Sequence, residues 1–359
     1  MKNINFPIGK TKTDGAAKKF NLNDPNERAE YFELKAGKEI KAIKAYLASG
    51  KAFVGFLMGK KNSGKGTYSK LFMEAVGKEH VGHVSVGDIV RDVHASLADP
   101  TKKKQLSEFL AKNYRGFHTL EEIDDLIEGR SQSTLVSTEL IIALIKYEVS
   151  QRPHQAFFID GFPRGLDQIA YSLFLKELVG YKDEPDFLAF IDVAEAVIDA
   201  RIRSRVVCPI CHTPRSLRLA PTKYVGYDKD KKEFYLMCDN PTCNKERMVA
   251  KEGDAQGIEP IRARLEADDK IFAQLLKLNG VPKIYLRNSV PADTAKDYVD
   301  DYEITPGYSY EVDAATGDVK TLESPWTIND DDGVASYSLL PAAVTLTLIR
   351  EIAKVLELV

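Results

Sequence analysis

A glycine loop set between an apolar run and a helical stretch constrains this chain most. Ala52 to Met58 is apolar, the next residues read Gly59-Lys60-Lys61-Asn62-Ser63-Gly64-Lys65-Gly66-Thr67, and Tyr68 to Val76 has helical spacing. A strand, a G-x-x-x-x-G-K-G-T loop and a helix start together form the context of a phosphate-binding loop. Glycines at 59, 64 and 66 let the backbone wrap closely around an anion. Successive N–H groups and the positive helix end then face the phosphate. Lys65 reaches the terminal phosphates, and the Thr67 hydroxyl lies where magnesium would sit. A second triplet, Gly9-Lys10-Thr11, lacks the preceding strand and the first glycine, so it is set aside as a decoy.

The rhythm of the chain points to an α/β fold. Asn26 to Ala48 carries Phe32, Ile40, Ile43 and Leu47 near helical spacing and ends at Gly50, which predicts one amphipathic helix. Further strands are expected at His80–Val86, Ala156–Asp160, Phe187–Asp192 and Val281–Leu286. Helices are expected at Leu135–Val149, Ala194–Arg205 and Leu340–Leu358. The stretch from 92 to 135 is mostly helical in pattern, with breaks near Asp99-Pro100 and Arg115-Gly116. Alternating strands and helices argue for a parallel sheet covered on both faces. Two segments interrupt the alternation. Residues 208 to about 250 hold all four cysteines. Residues 288 to 337 are acidic and tyrosine-rich, with a hairpin signal where Tyr308–Val312 and Val319–Leu322 flank a turn.

Three constellations carry further chemistry. Asp160-Gly161-Phe162-Pro163-Arg164 closes a strand, where ligands of open α/β sheets bind; the aspartate suits magnesium-bound water and the arginine a phosphate. Arg201 and Arg205 share a helix face, and Arg262 and Arg264 follow the cysteine segment. Arginines facing one site suit a transferring phosphoryl group. Cys208-x-x-Cys211 and Cys238-x-x-x-x-Cys243, 26 residues apart, have zinc-ribbon spacing. His212 and Asp239 adjoin the pairs as alternative ligands. Four thiolates make a closed, structural site for zinc or iron. The formal net charge of −3 gives no general basic character, so bulk nucleic-acid binding is not expected. No apolar run reaches the length of a membrane span, and the N-terminus has no secretory hydrophobic core. These features favour the cytoplasm.

As an ordered set, these residues resemble the adenylate kinases and, more broadly, the nucleoside monophosphate kinases. The resemblance rests on the loop Gly59 to Thr67, on Ser85-Val86-Gly87-Asp88-x-x-Arg91, on Leu135-Val136-Ser137-Thr138-Glu139-Leu140, and on Asp160 to Arg164 with Gln168 beyond. It also rests on Arg201 and Arg205 before the cysteines and Arg262-Ala263-Arg264-Leu265 after them. The resemblance implies a P-loop NTPase-type, doubly wound, parallel five-stranded sheet with a helical acceptor-binding insert and a small zinc-ribbon lid. Residues 1–50 would form an N-terminal extension and 51–359 the kinase core. That core would hold the insert at 86–150, the lid at 207–257 and an insertion with a hairpin at 288–337.

The implied reaction is magnesium-dependent phosphoryl transfer from ATP to AMP. The implied enzyme is a monomer, free of membrane or nucleic-acid partners. The implied catalytic residues are Lys65, Asp160, Arg164, Arg201, Arg205 and Arg264. ATP would be held by Gly59, Asn62, Ser63, Gly64, Lys65, Gly66, Thr67 and Arg201. AMP would be held by Val86, Gly87, Arg91, Val136, Gly161, Arg164, Gln168 and Arg264. Cys208, Cys211, Cys238 and Cys243 would bind structural zinc.

The chain departs from the family pattern in four places. Lys61 and Asn62 replace the usual proline and glycine, which predicts a less tight loop. Val86 replaces a threonine beside the acceptor base. Lys251-Glu252-Gly253-Asp254 lacks the usual lid arginine and paired aspartates, leaving Arg247 or Lys251 to compensate. About thirty extra residues lie between 92 and 134. Two rivals stay open: a kinase for UMP, CMP or GMP, and a weakly catalytic regulator that binds nucleotide or nucleic acid through its ribbon, with Lys60, Lys61, Lys223, Arg215 and Arg218 as the basic support.

Overall fold

The computed structural model describes residues 4, 6–13, 18–119, 121–123, 137–313 and 316–359. Its centre is a sheet of five parallel strands: β1 (Val54–Gly59), β2 (Val81–Ser85), β3 (Ala156–Asp160), β4 (Asp186–Asp192) and β10 (Lys283–Arg287). Their spatial order is β10-β4-β1-β3-β2, and every pairing is parallel. The five expected strands therefore all form, each within about two residues of its expected ends. All six residues of β1 are buried, as a central strand covered on both faces requires. Gly55 is where the packing is closest: a Cβ there would stand 2.7 Å from the Phe187 ring and 2.9 Å from that of Phe158. Phe53, Phe72, Phe158 and Phe187 pack edge-on or tilted around it, an arrangement that aromatic quadrupoles favour.

Helices cover both faces of the sheet. α1 (Pro25–Ala48) is capped by Asp24, whose side chain accepts from the Asn26 and Glu27 amides, and it breaks helical geometry at Ala36. α2 (Lys65–Val76) follows the glycine loop. α3 (Val86–Ser96) and α4 (Pro100–Asn113) follow β2. The expected break at Asp99-Pro100 is the start of α4: Asp99 caps it and Pro100 takes the first helical position, which needs no N–H. α5 (Thr138–Ser150) precedes β3, α6 (Leu166–Ser172) follows it, and α7 (Glu195–Arg203) follows β4. α8 (Arg262–Leu275) leads back to β10, and α9 (Pro341–Val355) closes the chain against α1 and α2. Among the described residues, no helix is long and apolar enough to cross a membrane.

Three segments are added to this frame. The cysteine segment makes a small sheet of β5 (Arg205–Val207), β6 (Pro214–Ser216) and β9 (Val249–Ala250), plus a hairpin of β7 (Tyr224–Asp228) and β8 (Glu233–Met237). Cys208, Leu236, Cys238, Cys243 and Met248 form its own buried cluster, apart from the main core. The stretch after β10 makes a sheet of β11 (Ser289–Pro291), β14 (Thr327–Asn329) and β15 (Ala335–Ser338), and the antiparallel pair β12 (Pro306–Val312) and β13 (Val319–Pro325). That pair lies on the cysteine segment. The Tyr308 amide donates to the Arg218 carbonyl at 2.8 Å, the Tyr310 hydroxyl donates to the Leu217 carbonyl at 2.5 Å, and the Tyr310 and Phe234 rings are 5.4 Å apart.

The N-terminal residues are fastened by a buried polar network. Lys35 Nζ lies 2.8 Å from Glu303 and 2.6 Å from Asp300. Thr11 and Tyr31 donate hydroxyl hydrogen bonds to the same Glu303 carboxylate. A buried ion pair persists when its remaining lone pairs are satisfied, and here Thr11, Tyr31 and the Asp300 amide satisfy them. The Gly9-Lys10-Thr11 triplet thus serves as a clasp and not as a phosphate loop.

Candidate active site

The site forms where β1 and β3 end, beside the point at which the chain order of the sheet reverses. The loop after β1 turns sharply. Gly64 sits at φ 100° as the residue before α2, a conformation open to glycine. Asn62, in place of the family's glycine, takes φ 66°. Asparagine tolerates that left-handed region because its short amide can bond locally. The Ser63 amide still closes a turn onto the Lys60 carbonyl at 3.1 Å. The expected loosening of the loop is thus met by a replacement that keeps the turn.

A cleft opens at this point, lined among others by Gly59, Lys61, Asn62, Lys65, Gly87, Arg91, Asp160, Gly161, Arg164, Arg264 and Asp268. Lys65 donates to the carbonyls of Gly59 at 2.6 Å and Lys60 at 3.1 Å, and stands 3.7 Å from Asp160. Burial lowers its pKa. Burial likewise lowers that of Arg264, and the nearby Arg164 adds to the effect. Asp268 is the answering carboxylate: burial raises its pKa, while Arg264, Arg164 and Lys65 pull it down. Cations held close together against desolvation make a site that waits for an anion.

Of the site residues expected from the sequence, Gly59, Asn62, Lys65, Gly87, Arg91, Asp160, Gly161, Arg164 and Arg264 meet in this cleft. Ser63, Gly64, Gly66 and Thr67 lie beside it, in the loop and the first turn of α2. Arg201 reaches toward the Ser63 carbonyl and Asn288, each at 3.5 Å. Arg205 forks onto Asp254 at 2.6 and 2.7 Å, so one acidic partner remains in the stretch that lacks the family's paired aspartates. Arg262 turns away to Glu259 and Glu195.

Val86 and Gln168 are buried beneath the cleft and do not line it. The Gln168 side-chain oxygen accepts from the Arg164 amide at 2.8 Å, and its Nε2 donates to Thr138 at 3.3 Å. In this arrangement it holds Arg164 in place. Val136 lies outside the described residues. Lys61, Ser85, Asp268 and Phe272 also line the cleft, a role that the motifs do not announce. Asp268 had a readable signal, standing one helical turn beyond Arg264.

The four cysteines converge. Their sulfur atoms all lie within 4.8 Å of one another, Cys208, Cys238 and Cys243 are buried, and none is in a disulfide. Four thiolates around one tetrahedral ion stand about 3.8 Å apart, given metal–sulfur bonds of about 2.3 Å, a separation inside that limit and close to the 3.6 Å between Cys211 and Cys238, so the set fits a structural metal. Of the five basic residues that favoured a nucleic-acid reading, Lys60 is buried and Arg215 is paired with Asp239 at 3.2 Å. Arg247 is also committed, to Asp228 at 3.1 Å and to the Tyr235 ring at 4.1 Å.

Comparison with known proteins gives a consistent picture. No family model matches the chain. An adenylate kinase of Hydrogenobaculum sp. (strain Y04AAS1) is 30% identical over 185 residues, covering 51% of this chain and 70% of that protein. One of Thermotoga neapolitana is 27% identical over 245 residues, covering 64% and 97%. One of Bacillus subtilis (strain 168) is 28% identical over 187 residues, covering 51% and 73%.

Proposed function

The chain belongs to the adenylate kinase family, and on that premise we propose that it transfers a phosphoryl group reversibly from ATP to AMP, giving two ADP. The observation that carries the reading is the convergence of Lys61, Lys65, Arg164 and Arg264 on one cleft between the phosphate loop and the end of β3. An AMP phosphate oxygen attacks the γ-phosphorus of ATP, the bond to the β–γ bridging oxygen breaks, and ADP leaves with that electron pair. The phosphoryl group carries spread charge in transit, so positioning and fixed positive charge supply the catalysis. Lys65 and the loop amides would hold the donor phosphates, and Arg91 and Arg164 the acceptor phosphate. Arg201, Arg205 and Arg264 would close from the lid side.

The residues suited to magnesium are Thr67 and Asp160. Asp160 offers a half-buried carboxylate at the cleft, 3.7 Å from Lys65. Bound with ATP, the ion would neutralise phosphate charge. The four thiolates suit zinc, whose closed tetrahedral site would fold the lid without joining the chemistry. A cytoplasmic setting, where thiols stay reduced, fits that role.

The test is a coupled assay with ATP, magnesium and AMP, UMP, CMP or GMP in turn, on protein whose metal content has been measured. AMP should turn over fastest, with one zinc per chain. Faster turnover of UMP or CMP would reassign the acceptor. No transfer to any of the four would remove the kinase reading, and metal-free native protein would remove the zinc.

A further inference from the structure

Lys61 occupies a position where the related loops carry proline, and its side chain lines the cleft with Arg164 and Arg264. The charged groups that act on it most strongly are cations. Burial lowers its pKa, and Arg264, Lys251, Arg205 and Arg164 lower it further. These neighbours come from four places: α8, the stretch after β9, the start of β5, and the loop after β3. Asp160 and Asp268 act on Lys65 and Arg264. Among the described residues, neither these nor any other carboxylate forms an ion pair with Lys61.

Three of the other candidate cations are already engaged. Lys65 is anchored to two loop carbonyls. Arg205 is forked onto Asp254, and Arg247 is held by Asp228 and Tyr235. The stretch from Lys251 to Asp254 supplies no arginine. Lys61 thus stands on the loop as a cation that lines the cleft without an ion pair, with Lys251 of the cysteine segment near it. Like charges held close together disfavour their own charged forms, and an incoming phosphate relieves them. A lysine on a four-carbon stem can follow a moving group as a compact point charge.

We infer that Lys61 is a further catalytic residue, its ammonium donating directly to the phosphoryl group as it passes from donor to acceptor. The inference rests on the kinase reading above and adds to it a further cation, supplied by the phosphate loop.

The experiment compares wild type, Lys61→Ala and Lys61→Arg in two measurements. The first is kcat and KM with ATP and AMP. The second is binding of inorganic tripolyphosphate by calorimetry, which needs no turnover. In Lys61→Ala, kcat should fall by about tenfold to a hundredfold, the range for one charged transition-state contact, while KM for each substrate changes by less than about threefold. Tripolyphosphate affinity should also fall, and Lys61→Arg should restore most of both. The melting temperature of Lys61→Ala should hold or rise, because repulsion has been relieved. Unchanged kcat and unchanged tripolyphosphate affinity in Lys61→Ala would overturn the inference and leave the kinase reading standing. A wild type that transfers nothing, yet loses tripolyphosphate affinity on Lys61→Ala, would overturn the kinase reading while supporting Lys61 as a phosphate ligand.

Discussion

Lys60 and Lys61 are neighbours in the chain and opposites in their surroundings. Lys60 points behind the phosphate loop, where Glu195 stands at 2.9 Å, Asp269 at 3.3 Å and Asp331 at 3.6 Å. Burial alone would lower its pKa, but these three carboxylates outweigh burial and raise it. Lys61 faces the cleft among arginines, and its pKa is lowered. The back of the loop is thus a finished electrostatic structure, and the front is an unfinished one. The contrast teaches that one basic stretch can hold both a structural and a functional cation. The back is braced by the tail insertion: Asp331 also accepts from the Glu195 amide at 2.8 Å, and its neighbour Asp330 pairs with Arg287 at 3.0 Å.

The largest effect should come from breaking the back. Lys60→Met removes the buried cation shared by three carboxylates, and loss of one partner from a buried ion cluster costs about 3 kcal/mol or more. Urea unfolding should show that loss, and adding Asp331→Asn should return part of it. If Lys60→Met unfolds at the wild-type midpoint, the cage contributes nothing and the contrast collapses.

Breaking the front should act on rate instead. Lys65→Ala should lower turnover at least about a hundredfold, the scale of one electrostatic transition-state contact, with less loss of stability than Lys60→Met. Turnover near wild type would remove the phosphate-loop role of Lys65.

The smallest effect sharpens the comparison without a mutation. Acylation needs a neutral amine, so a small acylating reagent at mildly alkaline pH should label Lys61 faster than Lys60 by at least about tenfold. Tripolyphosphate should protect Lys61 and leave Lys60 unaffected. Equal labelling, read by mass spectrometry of peptides, would mean that the two environments are alike.

The strands, the glycine loop, the Asp160–Arg164 turn and the paired cysteines are all legible in the amino-acid sequence, because each depends on residues close along the chain. A buried parallel strand shows as an apolar run, and a phosphate loop shows as glycines at fixed offsets before a helix. Gln168 could be placed near the acceptor region by its distance from Arg164, but not turned: its amide faces Arg164 and Thr138 because packing on α5 leaves it there.

The two lysines of the loop mark the boundary of what local pattern can decide. Side by side in sequence, both read alike, as basic support for a nucleic-acid-binding rival. Lys60 became structural because Glu195, Asp269 and Asp331 arrive from positions far along the chain, and Thr11 became a clasp because Glu303 does. Hairpin β12–β13 was readable as a hairpin, yet its seat on the cysteine segment was not. Charge compensation and docking are long-range events, set by which elements the fold brings within a few ångströms, and no spacing within a motif encodes them.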